Sequence, residues 1–151
     1  MFERIKFTRY ALRFEKAFKS DRWDDVRACF TDDAVYAIEG SASEYDGEYR
    51  GPDAICSVFK RMLDEFDRRF DSRKPSFDGW PRVENGEFTL PWRATYKTGD
   101  ASVVLHGVSR CRFDGAKIQR LSDTMRPDEC AQWAELAKTI GPRAGASSSS
   151  R

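Results

Sequence analysis

The chain has 151 residues, with 26 Lys and Arg against 25 Asp and Glu for a net charge of +1, and it is 40% hydrophobic and 13% aromatic. That near-balance lacks the basic field of a general nucleic-acid binder, and no apolar run approaches the ~18 residues of a membrane-spanning helix. A single domain of this length buries about 68–70% of its unfolded surface, so a substantial core is expected.

Met1-Phe2-Glu3-Arg4 lacks the apolar core of a secretory signal, and a cytoplasmic chain with no membrane partner is the expectation. Phe7, Tyr10, Ala11, Phe14, Ala17 and Phe18 make an apolar stripe with Arg9, Arg13, Glu15 and Lys16 mostly opposite, predicting a helix over about residues 4 to 19. Tyr10 brings a hydroxyl to the buried face of that helix, either as a core tyrosine with a wet or backbone-bonded tip or as a donor to a ligand. Asp21 is expected to cap a second, short helix, with Asp24 reaching back as in a capping box. Trp23, Val26 and Phe30 share one face of that helix. Thr31-Asp32-Asp33 then breaks the pattern, and Val35-Tyr36-Ala37-Ile38 has strand-forming residues.

The stretch from Glu39 to Arg50, polar and holding Gly40, Gly47, Tyr45 and Tyr49, reads as a surface loop at the edge of a pocket. Pro52 suits the first turn of a third helix. Ile55, Val58, Phe59, Met62, Leu63, Phe66 and Phe70 carry it at spacings of three and four to about residue 69, where Arg68 and Arg69 complement its dipole. From residue 75 the period changes. Ser76 to Trp80 is a weak strand, and Asn85-Gly86 is a hairpin turn. Phe88, Leu90, Trp92, Ala94 and Tyr96 alternate with polar residues, with Pro91 marking a bulge or an edge. After the turn at Lys97 to Asp100, the odd positions Val103, Leu105, Gly107, Ser109, Cys111 and Phe113 face inward. Asp114-Gly115 turns the chain into Lys117 to Met125, where Leu121, Asp123 and Met125 share a face. Residues 128 to 140 form a closing helix stopped by Gly141 and Pro142. The domain is expected to span 1–141, with a disordered serine-rich tail over 142–151. Cys29, Cys56, Cys111 and Cys130 lack any Cys-x-x-Cys spacing and read as small core hydrophobes, so no metal is expected.

Three helices, an antiparallel meander and a closing helix make an α+β pattern. Trp23 to Tyr36, the amphipathic first helix and the Gly51-Pro52-Asp53-Ala54-Ile55 helix start resemble the nuclear transport factor 2-like superfamily, in its SnoaL-like and ketosteroid isomerase-like branch. The resemblance covers about residues 5 to 126. It implies helices packed in a strongly bent, mainly antiparallel sheet that forms a cone with an open mouth. Pro91, Gly99 and Gly107 supply places for the sheet to bend. It also implies a homodimer through the outer sheet face, where Val104, Val108 and Ile118 lie among His106, Arg110, Arg112 and Arg120.

Asp123 leads the candidates for chemistry, since a carboxylate between Leu121 and Met125 on an apolar face is costly unless paired or protonated. It is either a general acid or base, or a structural aspartate bonded to a backbone group or a tyrosine. His106, the only histidine, has two readings. A two-residue Asp114-Gly115 turn sets it opposite Asp123 as an imidazole–carboxylate dyad. A three-residue turn pairs Asp123 with Gly107 and sends His106 to the outer face. Compared residue by residue with ketosteroid isomerase, Phe14 stands in place of the first-helix tyrosine. Ile38 replaces the proton-shuttling aspartate and Ser109 the protonated acid, so steroid isomerisation is not implied. The tyrosine–aspartate pair of scytalone dehydratase falls on Phe18-Lys19.

The expected cavity has walls of Phe14, Tyr36, Ile38, Phe59, Met62, Trp92, Tyr96, Leu105 and Leu121, with Tyr10, Ser109 and Asp123 as polar contacts, which suits a small hydrophobic or aromatic molecule. Two functions follow. One is a cofactor-free isomerase, cyclase, dehydratase or hydrolase in which Asp123 moves the proton and Tyr10 or Tyr36 donates to an oxyanion. The other is a binding module of the same fold that holds a ligand or a protein partner without chemistry.

Overall fold

The structure, a computed structural model, describes residues 2–141; the tail over 142–151 lies outside the described residues. Helix α1 (Phe2–Ser20) buries Phe7, Tyr10 and Ala17 along the expected stripe. It ends at Asp21, whose φ of 59° is left-handed and whose amide bonds the Ala17 carbonyl at 2.8 Å. Asp21 therefore closes α1 rather than capping α2 (Asp24–Arg27), whose N-cap is Trp23 without a side-chain bond. Its carboxylate instead accepts from the Trp23 indole at 3.0 Å and pairs with Lys60 and Arg68. Asp24 does not reach back; it pairs with Arg27 at 2.8 Å.

Strand β1 (Phe30–Glu39) begins earlier than the sequence suggests. Thr31-Asp32-Asp33 does not break the strand but occupies the irregular stretch of its register between Phe30 and Val35. The expected loop after Glu39 ends in a further strand, β2 (Gly47–Arg50), hydrogen-bonded to β1. Tyr45 is buried rather than at a surface edge, with its ring edge-on to Phe66. Helix α3 (Pro52–Glu65) stops before residue 69, and a 3-10 turn (Asp67–Arg69) follows.

The weak strand lies at β3 (Ser72–Phe77), ahead of the expected 76 to 80, and β4 (Arg82–Glu84) closes on β5 (Glu87–Thr98) through the Asn85-Gly86 turn. Both turn residues have positive φ, 52° and 75°, as that tight hairpin requires. Along β5, β4 pairs with 87–89 and β3 with 92–97, so Pro91 falls in the gap between them. Its carbonyl accepts from the Asp78 amide at 3.0 Å, so the missing N–H faces the place where no ladder bond is needed.

Strands β6 (Ala101–Asp114) and β7 (Lys117–Met125) complete the sheet, and α4 (Pro127–Ile140) closes the chain. The strand order is β2-β1-β7-β6-β5-β3 with β4 also on β5, antiparallel except for β1 beside β7. One core gathers Phe30, Ile38, Ile55, Val58, Ile118 and Leu121 between the helices and this curved sheet. A second joins Phe70, Tyr96, Leu105, Trp133 and Ala137 under α4.

Candidate functional site

Asp123 reaches the concave face through a register that neither sequence reading anticipated. Asp114 pairs with Lys117 across a two-residue turn, and an irregularity between Arg112 and Phe113 leaves Gln119 unpaired. The bulge shifts every later pair, so Asp123 lies opposite Ser109 rather than His106 or Gly107. Ser109 Oγ donates to Asp123 Oδ1 at 2.5 Å. Tyr36, two residues from Ile38 on the neighbouring strand, donates its hydroxyl to Oδ2 at 2.7 Å.

Burial raises the pKa of Asp123 above the ordinary carboxylate value, against the pull of the Ser109 and Tyr36 hydrogen bonds. Burial and then the Asp123 charge push the Tyr36 phenol well above its usual range, and the same two causes act on Tyr10. Both phenols therefore stay protonated, and that of Tyr36 donates to Asp123. The Tyr10 hydroxyl makes no hydrogen bond to another described residue, although its ring packs edge-on to Phe7 and Phe30.

Above this triad opens a cavity of about 620 Å³, within the range of about 300–1,000 Å³ typical of small-molecule sites. Tyr10, Phe14, Tyr36, Phe59, Met62, Trp92, Tyr96, Ser109 and Asp123 all line it. Trp92 lies flat across the sheet, and a Cβ at Gly107 would overlap its indole; only glycine leaves room there. Ile38, Leu105 and Leu121 are fully buried behind the wall instead.

His106 does not join Asp123. It projects to the outer face opposite Arg93, and its Nδ1 lies 2.8 Å from Glu129 Oε2. Its main-chain amide donates to Glu129 Oε1 at 2.8 Å, just where β7 has ended and offers no further partner. Ile118 also departs from its expected place: the bulge turns it into the core beside Phe30, away from the outer face.

A second polar end of the cavity escaped the sequence reading. Tyr96 donates to Asp67 Oδ2 at 2.7 Å, and Arg73 Nε lies 3.1 Å from the same oxygen. Arg73 also bonds both oxygens of Glu15, at 2.8 and 3.0 Å. Asp67 is buried, which raises its pKa despite Arg73 and Tyr96. The signal was present: Asp67 follows Leu63 by four in the apolar repeat that the sequence carries on from Ile55 to Phe70, a position where a carboxylate turns inward. Among the described residues no three His, Cys, Asp or Glu groups converge with metal-ligand spacing, and no helix is long and apolar enough to cross a membrane.

Comparison with solved structures returns the same architecture at low identity. An M. tuberculosis LEH-like epoxide hydrolase is 15% identical, with a TM-score of 0.59 over 89% of this chain and 93% of that one. TerC co-crystallised with polyporic acid is 11% identical, with a TM-score of 0.63 over 83% and 95%. A protein of ketosteroid isomerase-like fold from Catenulispora acidiphila, in complex with trimethylamine, is 13% identical, with a TM-score of 0.61 over 85% and 95%. No curated protein matches the sequence. At these identities the structures speak for the fold alone, which is the one expected of the nuclear transport factor 2-like superfamily. The family model for the SnoaL-like domain matches residues 11–121, a span from the first helix to the strand that carries Asp123. On that match and this architecture, the chain belongs to the SnoaL-like domain family.

Proposed function

We propose that the chain is an acid/base enzyme that acts on a small hydrophobic or aromatic molecule without a cofactor, in an isomerase, cyclase, dehydratase or hydrolase type of reaction. One observation carries this reading: a buried carboxylate of raised pKa, held by two hydroxyls, at the base of an apolar cavity. Such a carboxylate accepts a proton from a carbon or hydroxyl acid more readily than an exposed one, because its own acidity is brought nearer to neutrality. In the proposed step Asp123 takes the proton and the electron pair moves onto a substrate oxygen. The free Tyr10 hydroxyl donates to that oxygen, Tyr36 holds the carboxylate in place, and the Asp123 acid then returns the proton. Small molecules bound by the similarly folded TerC and Catenulispora proteins favour a ligand in this cavity.

Native mass spectrometry of the purified chain, followed by a test for conversion of the recovered compound, identifies the substrate. Asp123→Asn is expected to lower its turnover by about 10²–10⁴-fold with the fold retained. Turnover that survives this substitution rejects the mechanism, and a ligand recovered without conversion points to a binding module. We further infer a homodimer through the outer sheet face.

A further inference from the structure

The exposed apolar side chains of this molecule are not scattered. Leu12 and Phe77, 66% and 65% exposed, stand on the cavity wall where it meets solvent, Leu12 from α1 and Phe77 from β3. Pro81 lines the same rim, and Trp80 beside it is 83% exposed. Ile5 lies two helical turns before Leu12 on the same face of α1, with Phe2 one turn further, and both are exposed. Large apolar groups gathered around an opening mark a contact surface.

Charge follows the same segregation. The two segments that contribute to this rim, residues 2–20 and 72–84, hold nine Lys and Arg against four Asp and Glu, although Lys6, Arg9 and Arg13 line a separate pocket beside Cys29 and Phe113. Arg73 spends its charge on Glu15 and Asp67. Arg4, Arg9, Lys16, Lys74 and Arg82 have no ion-pair partner among the described residues.

We infer that the cavity mouth is a docking surface for an anionic lipid bilayer. Trp80, Phe77, Leu12 and Ile5 would enter the headgroup boundary while the unpaired cations meet lipid phosphates. Exposed tryptophan beside Lys and Arg is the side-chain set that such a boundary favours, since each has an apolar body and a polar tip. A rigid protein partner would need a continuous matching surface of about 800 Å². Here the centre of the patch is the opening itself, which a fluid surface can seal and through which a bilayer-dissolved molecule can pass. The inference is independent of whether Asp123 is catalytic.

Of the four tryptophans, Trp23 and Trp133 are buried and Trp92 sits against Gly107, so Trp80 is the natural reporter. Phosphatidylcholine vesicles containing phosphatidylglycerol are expected to shift Trp emission to shorter wavelength and to sediment the chain, whereas phosphatidylcholine alone is not. Trp80→Ser with Phe77→Ser should weaken vesicle affinity by about tenfold or more. Lys74→Glu with Arg82→Glu should abolish binding while preserving the emission in buffer, which also serves if the first pair is misfolded. Asp123→Asn should bind as the unsubstituted chain does. Binding to neither vesicle, equal binding to both, or affinity untouched by both pairs would overturn the inference. So would light scattering showing that the Trp80 shift accompanies self-association.

Discussion

At the scale of the residue, the determining fact is how Asp123 is held. Its folded pKa lies above the 3.8 of an unperturbed aspartate because burial outweighs two hydroxyl bonds. A carboxyl raised on folding stabilises the fold in its protonated form. That contribution is full below the unfolded value and is lost as pH rises through the raised folded value. Asp123→Asn, which cannot ionise, is therefore expected to lose ground to the parent below about 3.8 and to gain on it above the folded value, in denaturant melts across that window. A difference that is flat with pH would refute the shift. If Asp123 acts as a base, kcat/KM should fall on the acid side at a pH above 3.8. Tyr10→Phe should lower kcat by about 10²–10³-fold, the usual loss of one oxyanion donor, while KM and the melting profile change little. The polar character of the site was legible from single residues, since Asp123, Ser109, Tyr10 and Tyr36 all stood out on apolar faces. Their mutual contacts were not, because each depends on pairings between strands far apart in sequence.

At the scale of the element, one bulge redistributes roles. Strict alternation along β7 would put Ile118 and Arg120 on one face, yet Ile118 is buried with Phe30 and Arg120 pairs outward with Glu48 at 3.0 Å. An extra residue at Gln119 reverses the parity between them, and nothing in the local sequence distinguishes a bulge there from a longer turn at Asp114-Gly115. Helices were easier to read, because their stripes repeat over several turns; their ends were harder, as Asp21 and Asp67 show. Where β7 stops, α4 takes over through Glu129, which receives both the amide and the ring of His106. Glu129→Ala should leave that amide unpaired and cost about 1–3 kcal/mol in denaturant unfolding, with faster hydrogen exchange at His106. Glu129→Gln, whose amide oxygen still accepts the main-chain N–H, should recover most of the loss. Equal losses for both variants would show that charge, not the strand-like bond, ties α4 to the sheet.

At the scale of the whole molecule, the cone of helices in a bent sheet was legible from element order, and its outer face sets the last expectation. Val104 and Val108 remain half-buried on β6, on either side of His106 and on the face that carries the arginines at 110, 112 and 120. Ile118 has left that face for the core, so the apolar strip is narrower than the sequence implied. Two of the arginines are already matched along the face, Arg112 with Glu87 at 3.3 Å and Arg120 with Glu48 at 3.0 Å, while Arg110 donates to the Thr124 hydroxyl at 3.3 Å. A two-fold pairing would bury the valines of both copies with one set of residues while leaving those ion pairs at its wet rim. A dimer of standard size removes about 600–1,000 Å² from each partner. The chain exposes 8880 Å² in all, so roughly a tenth of its surface would be covered. Light scattering should therefore return twice the 17.4 kDa of one chain at micromolar concentration. Val108→Glu sets a carboxylate against its own symmetry mate and should return the monomer with ligand binding retained, since Val108 points away from the cavity. A monomer for the unsubstituted chain would dismiss the dimer and leave the half-buried valines to the sheet's own curvature.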